Sequence, residues 1–114
     1  MKVYELMQKN VFTVNPTDSI KKTIEKMKLY NLGFIVIEED KIPLGVITDR
    51  DLLFVIDREI NLATPIEKVM KKYVVTINQN DDVSDASDIM GYLQIRRLVV
   101  TNDFGKITGV ISVA

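Results

Sequence analysis

The sequence predicts an α/β (α+β) fold made of two copies of one strand–helix–strand–strand–helix unit. Three observations predict it. At an offset of 63 residues, Val11 meets Val74, Thr13 meets Thr76, Asn15 meets Asn78, Asp18 meets Asp81, Met27 meets Met90 and Val36 meets Val99. Gly45-Val46-Ile47-Thr48 returns as Gly109-Val110-Ile111-Ser112 at an offset of 64, one extra residue having entered the turn near Phe104-Gly105. Helix-spaced apolar residues and short apolar runs follow each other in the same order in both halves. The matches fall on strand cores, a helix cap and a glycine, positions that structure constrains and chance does not select. Neither half covers its own sheet alone. The halves, 1–60 and 61–114, are therefore expected to pack face to face with pseudo-two-fold symmetry as one module.

The elements follow in order. Val3 to Gln8 reads as a short helix or turn, and Val11-Phe12-Thr13-Val14 as a brief strand closed by Asn15-Pro16. Thr17 or Asp18 is expected to cap the next helix. Its inner face is Ile20, Ile24, Met27 and Tyr30, with Lys21, Lys22, Glu25, Lys26 and Lys28 largely outside. Asn31 and Gly33 end it, Gly33 being suited to a left-handed cap. Phe34-Ile35-Val36-Ile37 is a continuous apolar run, hence a buried strand. Glu38 to Lys41 is a polar turn, Leu44 to Thr48 a strand, and Asp49 to Asp57 a helix. Thr64-Pro65-Ile66-Glu67 reads as a capping box opening a short helix that ends in Lys71-Lys72. Met7, Met27, Met70 and Met90 read as core or interface filler.

Composition narrows the function. The chain has 114 residues, 46% hydrophobic and 27% charged, with a net charge of −1. It exerts no general electrostatic pull on nucleic acid or acidic lipid. It contains no Cys and no His, so it lacks a disulfide framework, a thiolate site and the commonest general base. That pattern disfavours an enzyme. No apolar run approaches the roughly 20 residues that span a bilayer, and the opening Met1-Lys2-Val3-Tyr4-Glu5 has no signal-peptide core. A cytoplasmic protein is expected. Asp81, Asp82, Asp85 and Asp88 complement a helix dipole without requiring a metal.

The candidate site is Gly45 to Asp51. Thr48 stands where a strand hands over to a helix, so its hydroxyl and the amides of Asp49 and Arg50 form a phosphate-binding arrangement. Asp51 follows on the same side, and its carboxylate can accept both hydroxyls of a ribose. Equally, Thr48 and Asp51 could simply cap the helix.

Met7 to Pro16 with Gly45 to Asp51, and Met70 to Asn78 with Gly109 to Ser112, closely resemble a tandem pair of CBS (cystathionine β-synthase) domains, a Bateman module, over essentially the whole chain. The resemblance implies a regulatory, non-catalytic module. It would bind AMP, ADP, ATP or S-adenosylmethionine in clefts between the two motifs and commonly form a homodimer. It gives Thr48 and Asp51 their phosphate and ribose roles and makes Val74-Val75-Thr76 the adenine wall. It also sends Arg96 and Arg97 to the phosphates; the alternative is a solvated strand end or a salt bridge to Asp85 or Asp88. In the second cleft Ser112 replaces Thr48, Gly33-Phe34 replaces the arginine pair, and Val11-Phe12-Thr13 supplies the adenine wall. Its acid would fall at 115, beyond Ala114, with the last helix. A longer native chain and a weaker second cleft are therefore expected. No cofactor is required; the nucleotide, with or without Mg2+, is the regulatory ligand. The signal would pass to a partner protein or fused domain, with no nucleic acid or membrane involved. The competing reading is a structural dimerisation module with no bound nucleotide.

Overall fold

A computed structural model describes residues 1–113. In chain order the elements are α1 (Val3–Leu6), β1 (Thr13–Val14), α2 (Ile20–Leu29), β2 (Phe34–Glu39), β3 (Ile42–Thr48), α3 (Asp49–Asp57), a 3-10 turn (Ile66–Lys68), β4 (Thr76–Asn78), α4 (Val83–Leu93), β5 (Arg97–Thr101) and β6 (Ile107–Ser112). They form two sheets, ordered β1-β2-β3 and β4-β5-β6. In each, the first strand runs parallel to the second, Thr13 opposite Val36 and Thr76 opposite Val99. The two ladder pairs are images of each other at the 63-residue offset.

The chain divides into two compact units. The first unit is Phe12–Glu39 with Pro43–Tyr73. The second is Met1–Val11, Asp40–Ile42 and the described chain from Val74. Each sheet is thus closed by the segment that precedes the other motif in sequence. In the first unit, Ile66 N–H donates to the Asp18 carbonyl (2.7 Å), Glu67 N–H to Pro16 (3.1 Å), and Ile20 N–H to Thr64 (2.9 Å). In the second, Val3 N–H donates to Asp81 (2.9 Å), Tyr4 N–H to Gln79 (3.0 Å), and Val83 N–H to Met1 (2.9 Å). Every bond in one set is the 63-residue image of a bond in the other. The side chains that these segments bury, Ile66 and Val3, are both 0% exposed, each worth about 1.5–3 kcal/mol of removal from water.

This exchange explains two departures from expectation. Thr64-Pro65 forms no capping box: Pro65 is extended (φ −59, ψ 140) with no side-chain cap, and only a 3-10 turn follows. The segment is held straight because Pro65 pairs with Ser19; tertiary pairing overrides the local signal. Helix α2 is capped by Ser19, whose hydroxyl accepts from Lys22 N–H (3.0 Å). Asp18 is occupied elsewhere, on Asn15 N–H (2.9 Å) and Lys22 Nζ (3.2 Å).

The cores follow the pattern of the sequence. Val14, Ile20, Met27, Ile35, Ile37, Ile47, Leu52, Val55 and Ile66 cluster in the first unit. Val3, Ile77, Ala86, Met90, Leu98, Val100 and Ile111 cluster in the second. On α2 the third buried position is Thr23, whose hydroxyl donates to the Ser19 carbonyl (3.0 Å) and so carries no unmet polar group. Tyr30 lies outside this face and stacks on Phe12 with ring centroids 4.6 Å apart.

Two turns show the backbone chemistry. The β2–β3 loop is Asp40-Lys41, with φ of 51 and 65, the positive pair that two-residue hairpins favour. Helix α2 ends on Asn31 (φ 54), with Leu32 N–H returning to the Met27 carbonyl (2.8 Å). Asn31, rather than Gly33, takes the left-handed position. Gln94 repeats this at the end of α4 (φ 54), with Ile95 N–H on the Met90 carbonyl (3.0 Å). Glutamine gains nothing locally from that conformation, whereas glycine adopts it freely. Gln94→Gly is expected to raise stability by up to about 1 kcal/mol, read as a higher urea midpoint with an unchanged slope.

Helix α4 is capped by Asp82. Hydrogen bonds from the Ser84 hydroxyl and amide, then from the N-terminal ammonium of Met1, hold its carboxyl well below the usual carboxylate range. A depressed pKa stabilises the fold above the ordinary carboxylate range, and the contribution is lost progressively as pH falls from that range through the lowered value.

Candidate functional site

Strand β3 reaches the site through Gly45. An added Cβ there would lie 2.4 Å from Met70 Sδ and 2.7 Å from the Lys71 carbonyl oxygen. Glycine is required because the Met70-Lys71 segment crosses the strand at backbone distance. Val46 N–H donates to the Lys71 carbonyl (3.0 Å) and Lys71 N–H to the Val46 carbonyl (2.9 Å). The repeat reproduces the crossing: a Cβ on Gly109 would meet Met7 Sδ at 2.6 Å and the Gln8 carbonyl oxygen at 2.8 Å. Gln8 and Val110 exchange bonds of 2.8 and 2.9 Å.

Beyond the crossing, Thr48 caps α3. Its hydroxyl accepts from Asp51 N–H (3.3 Å), while Asp51 Oδ2 accepts from Thr48 N–H (2.9 Å) and from Thr48 Oγ1 (3.0 Å). Asp51 Oδ1 lies 3.4 Å from Lys71 Nζ. The Asp51 side chain is 13% exposed and that of Lys71 is 64% exposed. A hydroxyl and a carboxylate therefore stand together at a helix start with one nearby cation.

The amides expected to face a phosphate are engaged. Asp49 N–H donates to the Gly33 carbonyl (3.1 Å), and Arg50 N–H to the Asp49 carboxylate (2.8 Å). Helix starts leave several donors unmet, and here the end of β2's approach and a local side chain satisfy two of them. The side chains of Asp49 and Arg50 are exposed.

The remaining expected site residues distribute between the units. Phe12, Thr13 and Phe34 lie in the first unit with Thr48 to Asp51; Val11, Val74, Val75, Thr76, Arg96, Arg97 and Ser112 lie in the second. Val74 and Val75 are half-buried, and Thr76, Arg96 and Arg97 are exposed. Arg97 stands directly across the β5–β6 ladder from Ser112. Sequence reasoning missed Lys71, read as a helix-terminal lysine. The signal available was that Lys71 is the image of the neutral Gln8 at the 63-residue offset. Among the described residues no group of three or more acidic side chains could hold a metal ion, and no helix is long and apolar enough to cross a membrane.

Two α+β units related by an internal repeat, each with a glycine crossing followed by a hydroxyl residue, define a class of tandem-repeat domain. The CBS domain description matches residues 3–58 and 66–114, and the chain belongs to the CBS domain family. The CBS domain-containing protein YhcV of Bacillus subtilis is 33% identical over 111 residues, covering 96% of this chain and 79% of that protein. A solved CBS domain protein, PAE2072 from Pyrobaculum aerophilum complexed with AMP, superposes with a TM-score of 0.89 at 24% identity, covering 98% of this chain and 87% of the other. The CBS domain pair of protein MJ0100, in complex with 5-methylthioadenosine and S-adenosyl-L-methionine, gives 0.85 at 19% identity, covering 98% and 89%. Other relatives are longer: the chain spans 58% of an uncharacterized protein of Methanopyrus kandleri and 22% of the inosine-5'-monophosphate dehydrogenase of Methanocaldococcus jannaschii.

Proposed function

We propose that the chain is a regulatory, non-catalytic module that binds an adenosine-containing ligand, such as AMP, ADP, ATP or S-adenosylmethionine. Thr48 and Asp51 contact its ribose and phosphate. The observation that carries this reading is the Thr48–Asp51 pair at the β3–α3 junction, held in a half-buried position with an acceptor oxygen turned toward a cation. Support comes from CBS relatives in complex with AMP and with S-adenosyl-L-methionine. Val74, Val75 and Thr76 supply the adenine wall, and Asp49 and Arg50 border the site. Val11, Phe12, Thr13, Phe34 and Ser112 form the weaker second cleft.

Binding transmits a signal only if the ligand distinguishes two states of the module. The receiver is an effector protein or a fused domain. A homodimer fits the outward apolar side chains of α3: Leu53, Phe54 and Ile56 are all exposed. One observation favours the competing reading of a structural module with no nucleotide. The Asp49 and Arg50 amides and both Asp51 oxygens already have partners.

Calorimetric titration with adenosine, AMP, ATP and S-adenosylmethionine decides between them; heat and a thermal shift with at least one are expected, and silence with all four selects the structural module. Replacing Arg96 and Arg97 together by Ala tests the phosphate role. ATP affinity should drop about 10-fold or more, since a charge-assisted phosphate contact is worth roughly 1.5–3 kcal/mol. Adenosine affinity should hold. Equal losses for ATP and adenosine would remove the arginines from the phosphates.

A further inference from the structure

From the contacts of Asp51 we infer that Lys71 sets the ligand class of the Thr48–Asp51 site, favouring adenosine ligands that carry a phosphate over neutral ones. The inference rests on the proposed adenosine-binding function and deepens it.

Asp51 Oδ2 already accepts two bonds from Thr48, at 2.9 and 3.0 Å. Among the described residues, Oδ1 carries only the Lys71 ammonium, at 3.4 Å. A ribose diol that approaches Asp51 therefore meets Lys71 first. Displacing it is inexpensive, because the Lys71 side chain is 64% exposed and water can solvate its ammonium once it leaves Asp51. The displaced ammonium cannot travel far. Lys71 is anchored by both its backbone groups to Val46, at 2.9 and 3.0 Å, so its Cα stays on β3. The side chain keeps a flexible four-carbon stem and three donors. A neutral ligand removes the cation from Asp51 and returns nothing to it. A ligand with a phosphate offers the same ammonium a new anion within reach.

The repeat supplies an internal contrast. Gln8 occupies the image position, anchored to Val110 by bonds of 2.8 and 2.9 Å, and is uncharged. The backbone crossing thus needs no lysine; the charge belongs to the first unit alone.

Lys71→Gln, which installs the residue the repeat uses at that crossing, is the test, with Lys71→Arg as the charge-retaining control. The full-length variants are titrated with adenosine and with AMP, and melted without ligand. In Lys71→Gln the preference for AMP over adenosine should shrink about 5- to 10-fold, adenosine binding staying level or tightening, while Lys71→Arg keeps the preference. An unchanged preference in Lys71→Gln overturns the inference and leaves the adenosine reading standing. So does equal weakening of both ligands, which would make Lys71 a merely structural residue. Failure of the wild-type chain to bind either ligand overturns the adenosine reading itself, and the inference with it.

Discussion

Gly45→Ala should lower the melting temperature by roughly 10 °C, corresponding to about 2–3 kcal/mol for overpacking at a crossing that cannot yield. The new methyl would stand 2.7 Å from the Lys71 carbonyl oxygen. Met70 Sδ, at 2.4 Å, can rotate away; the carbonyl cannot move without breaking its bond to Val46. Truncating Met70 in the same chain should therefore fail to restore stability. Gly109→Ala should behave alike, because the Gln8 carbonyl lies 2.8 Å from its added Cβ. Gly91 provides the opposite sign. It lies inside α4 with nothing within 4 Å of an added Cβ, so Gly91→Ala should stabilise by about 0.5–1 kcal/mol. Thermal melts of the three variants check this. A neutral Gly45→Ala would mean that the crossing segment is not held against β3.

The same residues show what could be read from the sequence. The continuous runs Ile35-Val36-Ile37 and Leu98-Val99-Val100 are buried throughout, as their lack of alternation implies. The helix over Asp49–Asp57 and the pairing of Val36 with Val99 by repeat position needed only periodicity and offset. The exchange of leading segments was not legible, because Met7 and Met70 fit an ordinary core equally well. What marks them is the glycine each one faces, and that pairing is long-range. Thr64-Pro65-Ile66-Glu67 illustrates the converse. A strong local signal yielded to the bonds of Ile20 and Ile66, since pairing and burial outweigh a single cap. At the site, Thr48 and Asp51 are together as expected. The approach of Lys71 to Asp51, and of the Gly33 carbonyl to the Asp49 amide, depends on atoms whose proximity no spacing encodes.

Asp51 carries the largest expected effect on binding, and its two roles must be separated to measure it. Asp51→Ala removes the proposed ribose acceptor, the Lys71 partner and half of the capping box together. It should cost about 1 kcal/mol of stability, which clouds any loss of affinity. Asp51→Asn keeps an oxygen that can accept from Thr48 N–H while discarding the charge. Its melting temperature should stay close to the wild type. Its affinity for AMP should fall about 10- to 100-fold, the value of a charge-assisted hydrogen bond relative to none. Wild-type affinity in a stable Asp51→Asn chain would reduce Asp51 to a helix cap and favour the structural module. The double variant with Lys71→Gln adds a second constraint. Residues in direct contact couple, so the two effects on AMP binding should not add. Once Asp51 is neutral, Lys71 has no carboxylate to leave, and its removal should cost AMP more affinity than it does in the wild-type background.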